Sequence, residues 1–307
     1  MDTENTLRRY RDADSWPAEE ALAAMLDNQF GAFVAVRLAV PALAAAATAA
    51  AERLRQGGRL IYCGSGASGR LAVQDGVELH PTFGWPVERL VYLIAGGEPA
   101  LTRSAEGAED DADAGARTVA ALRPCASDVL VAVAASGTTP YTCAVQQAVR
   151  TAGALTIALA NNPGAPLLAG AEIQVLLHTG PEFLAGSTRM TAGTAQKIAL
   201  NLFSTRLMTE LGRVYQGYMV DMVPSNAKLV DRACKMVAAI AGVSADRAAT
   251  AWQEAGRSVK VAVLMLDGLP RAEAEARLGA AGGRLDRARN AASPEQARGR
   301  ESAGTHE

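Results

Sequence analysis

A surplus of charge is the first thing this chain lacks. Thirty lysines and arginines stand against 32 aspartates and glutamates, for a net charge of −2. With no basic excess, neither nucleic acid nor an anionic membrane surface is expected as a partner. Aromatic residues are 5% of the chain, too few for a base-stacking platform. No run reaches about 18 consecutive apolar residues, so no membrane span is expected. The Ala-rich stretch from Ala39 to Ala51 is interrupted by Pro41 and ends in Glu52, Arg53 and Arg55, which reads as a buried helix. The opening Met1-Asp-Thr-Glu-Asn carries two acids and no basic segment, unlike a secretory leader. Cys63, Cys125, Cys143 and Cys234 form no CxxC and adjoin no histidine pair. They read as reduced, mostly buried thiols of a cytoplasmic protein. His80, His178 and His306 stand alone, and no metal site is expected.

What is present fits a globular chain of one large and one smaller domain: 307 residues, 49% apolar and 20% charged. Residues 1–49 read as an N-terminal helical segment. Ser15 is the expected N-cap of a first helix with Pro17 in its first turn, and a second helix follows Pro41 and stops at Gly57-Gly58. From residue 50 to 213 the pattern changes. Short runs at 59–63, 90–95, 129–135, 155–160 and 173–177 are apolar on both faces, as buried parallel strands are. Helix-length segments lie between and after them, at about 69–79, 99–121, 139–152 and 188–211. Strand, Gly-rich turn and helix in alternation predict an α/β fold with a doubly wound, mostly parallel sheet. Residues 214–289 read as a small helical domain, and 290–307 as a disordered tail.

Three post-strand turns are built from glycine and hydroxyl residues: Gly64-Ser-Gly-Ala-Ser-Gly69, Ala135-Ser-Gly-Thr-Thr139 and Ala185-Gly-Ser-Thr-Arg189. Glycine allows close backbone approach, helix N-terminal N–H groups attract an anion, and hydroxyls add donors. A phosphate held this way needs no lysine and no magnesium. The first turn also matches GxGxxG, but a dinucleotide site requires an acid ending the second strand, and that strand ends Ile94-Ala-Gly-Gly97. No Walker Gly-Lys-Ser/Thr follows.

In this order the turns resemble the sugar isomerase (SIS) phosphosugar-binding domain, of flavodoxin-like topology. Glu78-Leu-His-Pro-Thr-Phe-Gly84, Glu106-Gly-Ala-Glu-Asp110, Ala134-Ala-Ser-Gly-Thr-Thr-Pro140, Gly186-Ser-Thr-Arg-Met190, Ala192-Gly-Thr-Ala-Gln-Lys197 and Asn226-Ala-Lys-Leu229 narrow the resemblance to the N-acetylmuramic acid 6-phosphate etherase family, over roughly residues 50–285. The resemblance implies a cytoplasmic, homodimeric carbon–oxygen lyase of peptidoglycan amino-sugar recycling that uses no cofactor. Such enzymes open the sugar, remove the C2 proton, expel D-lactate from C3 and add water to the enal.

That chemistry asks for carboxylates of tuned pKa. The family motifs map them to Glu78 and Glu109, both expected at the sheet's carboxyl edge, Glu109 on the helix after the second strand. Ser65, Ser68, Arg70, Ser136, Thr139, Ser187 and Arg189 are the expected phosphate or sugar contacts. The sequence departs from the family at Ala67, usually Thr, at Thr138, usually Arg, and at Thr191, usually Lys. The last two remove cations from loops expected to face the substrate. The alternatives are a non-catalytic phosphosugar-sensing regulator and a phosphosugar isomerase or lyase with another substrate.

Overall fold

A computed structural model describes residues 1–290. The large unit spans Met1–His80 and Trp85–Glu210, and the smaller one takes Pro81–Gly84 and the chain from Leu211 onward. The large unit opens with α1 (Ala18–Arg55) and then alternates β1 (Leu60–Gly64), α2 (Gly66–Val77), α3 (Leu79–Phe83), β2 (Leu90–Ile94), α4 (Ala112–Leu122), β3 (Val129–Val133), α5 (Pro140–Thr151), β4 (Leu155–Ala160), α6 (Pro166–Ala169), β5 (Ile173–Leu176) and α7 (Thr191–Glu210). All five strands are parallel, in the order β2-β1-β3-β4-β5. Helices α1, α2 and α7 cover one face, and α4, α5 and α6 the other. The doubly wound α/β sheet read from the sequence is therefore the fold.

The strands are apolar throughout because both faces are covered. β1, β3 and β4 are buried at every position. Ile61, Leu130, Ala132 and Ala158 pack with Val145, Val149 and Leu167 on the α5–α6 side.

The N-terminal region differs from expectation. One 38-residue helix runs through Pro41, where two helices were predicted, and Ser15 bonds the Asp12 carbonyl instead of capping it. An internal proline costs about 3 kcal/mol of helix. Continuity is enforced by packing: Ala35, Ala39, Leu43, Ala46, Ala47 and Ala50 are buried on the side that meets α7 and the sheet. By length and composition α1 is also apolar enough to cross a bilayer, which the sequence reading did not foresee. Its outer face is apolar too, with Leu22, Leu26, Phe30, Phe33, Val34 and Leu38 exposed. Among the cysteines only Cys63 is buried, fewer than expected, and burial pushes its thiol pKa up.

The smaller unit stacks α8 (Ala227–Ala241), α9 (Ala245–Glu254), α10 (Val259–Leu266), α11 (Arg271–Ala280) and α12 (Leu285–Asn290) around Trp252, Val237, Val263 and Leu264. Lys260, 4% exposed, donates to Asp221 Oδ2 at 2.6 Å and to the Gly283 carbonyl at 2.7 Å. Arg213 donates to the carbonyls of Phe83 and Gly84. The tail expected to be disordered lies, beyond Asn290, outside the described residues.

One clasp fixes the start of the sheet. Asp128, 1% exposed, accepts from the Arg59 backbone at 2.7 Å, the Arg59 guanidinium at 2.7 Å and the Cys125 backbone at 3.0 Å. Burial pushes its carboxyl pKa up, but these donors outweigh burial and hold it below the ordinary value. Asp128→Asn is expected to cost about 2 kcal/mol near neutral pH. A depressed carboxylate stabilises above its unfolded pKa of about 4 and loses that stability as pH falls through the folded value. The melting-temperature gap between wild type and variant should therefore close on acidification below about pH 4. A gap independent of pH would show that the charge does not matter.

Candidate active site

The site begins where β1 meets α2. A Cβ built on Gly69 would lie 2.9 Å from the Gly64 carbonyl carbon and oxygen, and one on Gly64 would meet the Gly69 backbone at the same distance. Only two glycines let the helix start against the strand end. Ser65 is the N-cap of α2, yet its side chain makes no capping bond. The Ser65 hydroxyl is buried without a hydrogen-bond partner, in a residue 9% exposed. A buried orphan donor beside free helix N–H groups is the arrangement that takes an anion.

Around this corner lies a cavity of about 350 Å³, lined by Ser65, Ser68, Ser136, Thr138, Thr139 and Glu109 among others. The second turn contributes Ser136, whose Oγ accepts from the Thr138 backbone at 3.2 Å. Glu109 is not on a helix as expected. It lies in a turn, because α4 starts only at Ala112, capped by Asp111 accepting from Ala114 at 2.7 Å. Glu106 shares an adjoining cavity with Glu109 and Arg70. The Glu109 carbonyl accepts from the Tyr141 backbone at 3.0 Å, which pins the turn to α5.

The other assigned residues lie elsewhere. Arg70 donates to the carbonyls of Ala100, Leu101 and Arg103, so its guanidinium ties α2 to that loop. Ser187 and Arg189 do not line the cavity; their neighbour Thr188 does. Glu78 is exposed at the C-terminal end of α2. Twelve helical residues span about 18 Å. Since α2 runs back from the carboxyl edge, Glu78 falls at the opposite edge, near the starts of β1 and β2. Thr191 is fully buried, donating to Asn28 Oδ1 at 2.7 Å and, from its backbone, to Glu182 at 2.8 Å. A residue there serves the α7 start and does not face the cavity, whereas Thr138 does. Missed by the sequence reading were Met1, Glu4 and Thr188 on the wall, and Glu182, which caps α7. Thr188 lies in the third glycine and hydroxyl turn, from which Ser187 and Arg189 were expected instead; no local motif marked Met1, Glu4 or Glu182.

Residues 42–150 match the model of the glucokinase regulatory protein N-terminal SIS domain. The chain is 54% identical over 282 residues to N-acetylmuramic acid 6-phosphate etherase of Deinococcus radiodurans, covering 92% of each. The chain belongs to the N-acetylmuramic acid 6-phosphate etherase family. The etherase of Yersinia pestis is 48% identical over 76% of this chain and 79% of its own length. Among solved structures, a phosphoheptose isomerase from Francisella tularensis matches with a TM-score of 0.45 and 18% identity, over 63% of this chain and all of that one. In this chain the serine cradle and Glu109 line one cavity.

Ser65→Ala should weaken binding of inorganic phosphate roughly tenfold. Its melting temperature should stay within a degree or so, because the hydroxyl makes no bond in the free protein. Calorimetric titration beside a thermal melt checks both. Unchanged phosphate affinity would remove Ser65 from the cradle.

Proposed function

We propose that the chain is an etherase acting on N-acetylmuramic acid 6-phosphate, a carbon–oxygen lyase releasing D-lactate and N-acetylglucosamine 6-phosphate in peptidoglycan amino-sugar recycling. The observation that carries this is the 54% identity across 92% of both chains, joined to a serine-rich cradle beside a carboxylate. The phosphate sits on the α2 N-terminus and the hydroxyls of Ser65, Ser68, Ser136 and Thr139. With the sugar open, a carboxylate removes the C2 proton. The C3–O bond breaks, the lactyl oxygen takes a proton, and an enal remains. Water adds at C3 and a proton returns to C2, so the sum is ether plus water giving two hydroxyls. We assign the proton transfers at C2 and the lactyl oxygen to Glu78, and activation of the water to Glu109.

Glu78 cannot serve the cavity of its own subunit across about 18 Å of helix. The reading therefore requires a homodimer in which Glu78 of one copy reaches the cavity of the other. The exposed apolar stripe on α1, Leu22, Leu26, Phe30, Phe33 and Leu38, supports a self-associating face. Four cysteines with no disulfide support a cytoplasmic setting.

Wild type should release D-lactate from N-acetylmuramic acid 6-phosphate, and Glu78→Gln and Glu109→Gln should each lose at least about 100-fold in rate. No lactate from folded wild type would sink the etherase reading. Refolding the two inactive variants together separates the arrangements. A shared site leaves one intact site in each hybrid dimer, returning about a quarter of wild-type activity by statistical mixing. A site within one subunit returns none. Phe30→Asp should shift the dimer toward monomer in sedimentation and abolish lactate release with it.

A further inference from the structure

The first residues of the chain form a wall of the cavity. Thr3 is fully buried. Its backbone N–H donates to Asn162 Oδ1 at 3.3 Å, and its hydroxyl accepts from Asn162 Nδ2 at 3.1 Å. Its carbonyl accepts from the Gly186 backbone at 2.9 Å. Asn162, 4% exposed, also donates to the Ala135 carbonyl, so the strap is tied to the ends of β3 and β4, beside the phosphate turns. Asp2 pairs with His178 at 2.9 Å. These bonds fix the next residue, Glu4, which lines the cavity with Ser65 and Glu109. Its carboxylate takes no hydrogen bond or ion pair among the described residues. Gly186 makes room for it: a Cβ there would come within 2.7 Å of Glu4 Oε2.

We infer that Glu4 is a substrate-contacting residue that accepts hydrogen bonds from the neutral hydroxyl or amide N–H donors of the sugar; this rests on the sugar-phosphate reading above. Two kinds of group face the cavity. Ser65, buried and unpartnered, is a donor suited to the anion. Glu4 is acceptor-only, repels anions and suits the donor-rich sugar body. Fixing its backbone beside the cavity before binding spares part of the ordering cost. The strap thus gives the cavity polarity, anion at the α2 corner and polyol at the Glu4 wall.

The test uses the full chain, N-acetylglucosamine 6-phosphate and inorganic phosphate as probes, and Glu4→Gln beside wild type in calorimetric titrations. Expected is about a tenfold loss of affinity for the sugar phosphate, with phosphate affinity unchanged or raised and melting temperature unchanged. Because Glu4 is exposed and its carboxylate bonds nothing in the free protein, the variant folds. Thr3→Val, which loosens the strap and keeps the carboxylate, should show the same selective loss in smaller measure. Unchanged sugar-phosphate affinity in Glu4→Gln, or an equal loss for both probes, overturns the inference and leaves the lyase reading standing. Wild type that binds phosphate but no sugar phosphate overturns that reading and the inference with it.

Discussion

Everything at this site follows from the contact of Gly64 with Gly69. Neither residue could carry a Cβ without meeting backbone at 2.9 Å. Because both are glycine, α2 starts flush against the end of β1, and its first N–H groups open into the cavity. An ordinary N-cap serine would turn its hydroxyl onto those groups. Ser65 leaves its own unused. The protein thus keeps an uncompensated helix terminus and a buried orphan hydroxyl, a combination that costs stability in the free state and is relieved by an anion.

The same contact sets where α2 ends. A buried network then locks the helix in place: Asp75 accepts from Tyr62 at 2.8 Å, Asn201 at 2.7 Å and Ser204 at 3.1 Å, bridging α2, β1 and α7. Burial raises the Asp75 carboxyl above its ordinary range although these donors work against it. A rigid α2 fixed at both ends cannot swing Glu78 toward its own cavity. If Glu78 is to act, a second copy must bring it, and the unpartnered apolar stripe on α1 gives a physical reason for one to be present.

Much of this was legible in the sequence. Strands β1, β3 and β4 show as apolar runs because both faces are covered, and the turns show because glycine and hydroxyl residues cluster there. Ser65, Ser68, Ser136, Thr139 and Glu109 were named from those turns and family motifs, and they do line one cavity. What failed has nameable causes. Pro41 reads as a break, but packing on α7 overrides local propensity. Residues 99–121 read as one helix, but Gly107 adopts φ +70° and Asp111 caps a later start. Arg70 reads as an anion partner; it lines the cavity adjoining Ser65 and Glu109, with its Nε and one terminal nitrogen bonded to three carbonyls. Glu78 reads as close to its own cavity, but it lies at the far end of α2, because a motif gives sequence neighbours and says nothing of which end of a helix they occupy. Glu4 was missed because its nearness to Ser65 is purely tertiary.

Among the described residues no lysine, arginine or histidine side chain lines the cavity, while Glu4, Glu109 and Asp110 do. On the proposed reading a doubly charged phosphate there meets mainly neutral, directional donors: backbone N–H groups and hydroxyls of fixed geometry. Such donors discriminate by shape more than by charge, since each must meet an oxygen at hydrogen-bond distance. Where the family usually carries an arginine, Thr138 offers only one more hydroxyl. The acids near the cradle repel an anion placed anywhere except against those donors. On the proposed reading, cradle and acids together favour one orientation, phosphate inward at α2 and donors of the sugar toward the carboxylates. For a reaction that begins with a proton leaving carbon, orientation matters more than grip, because a base can act only on the carbon presented to it.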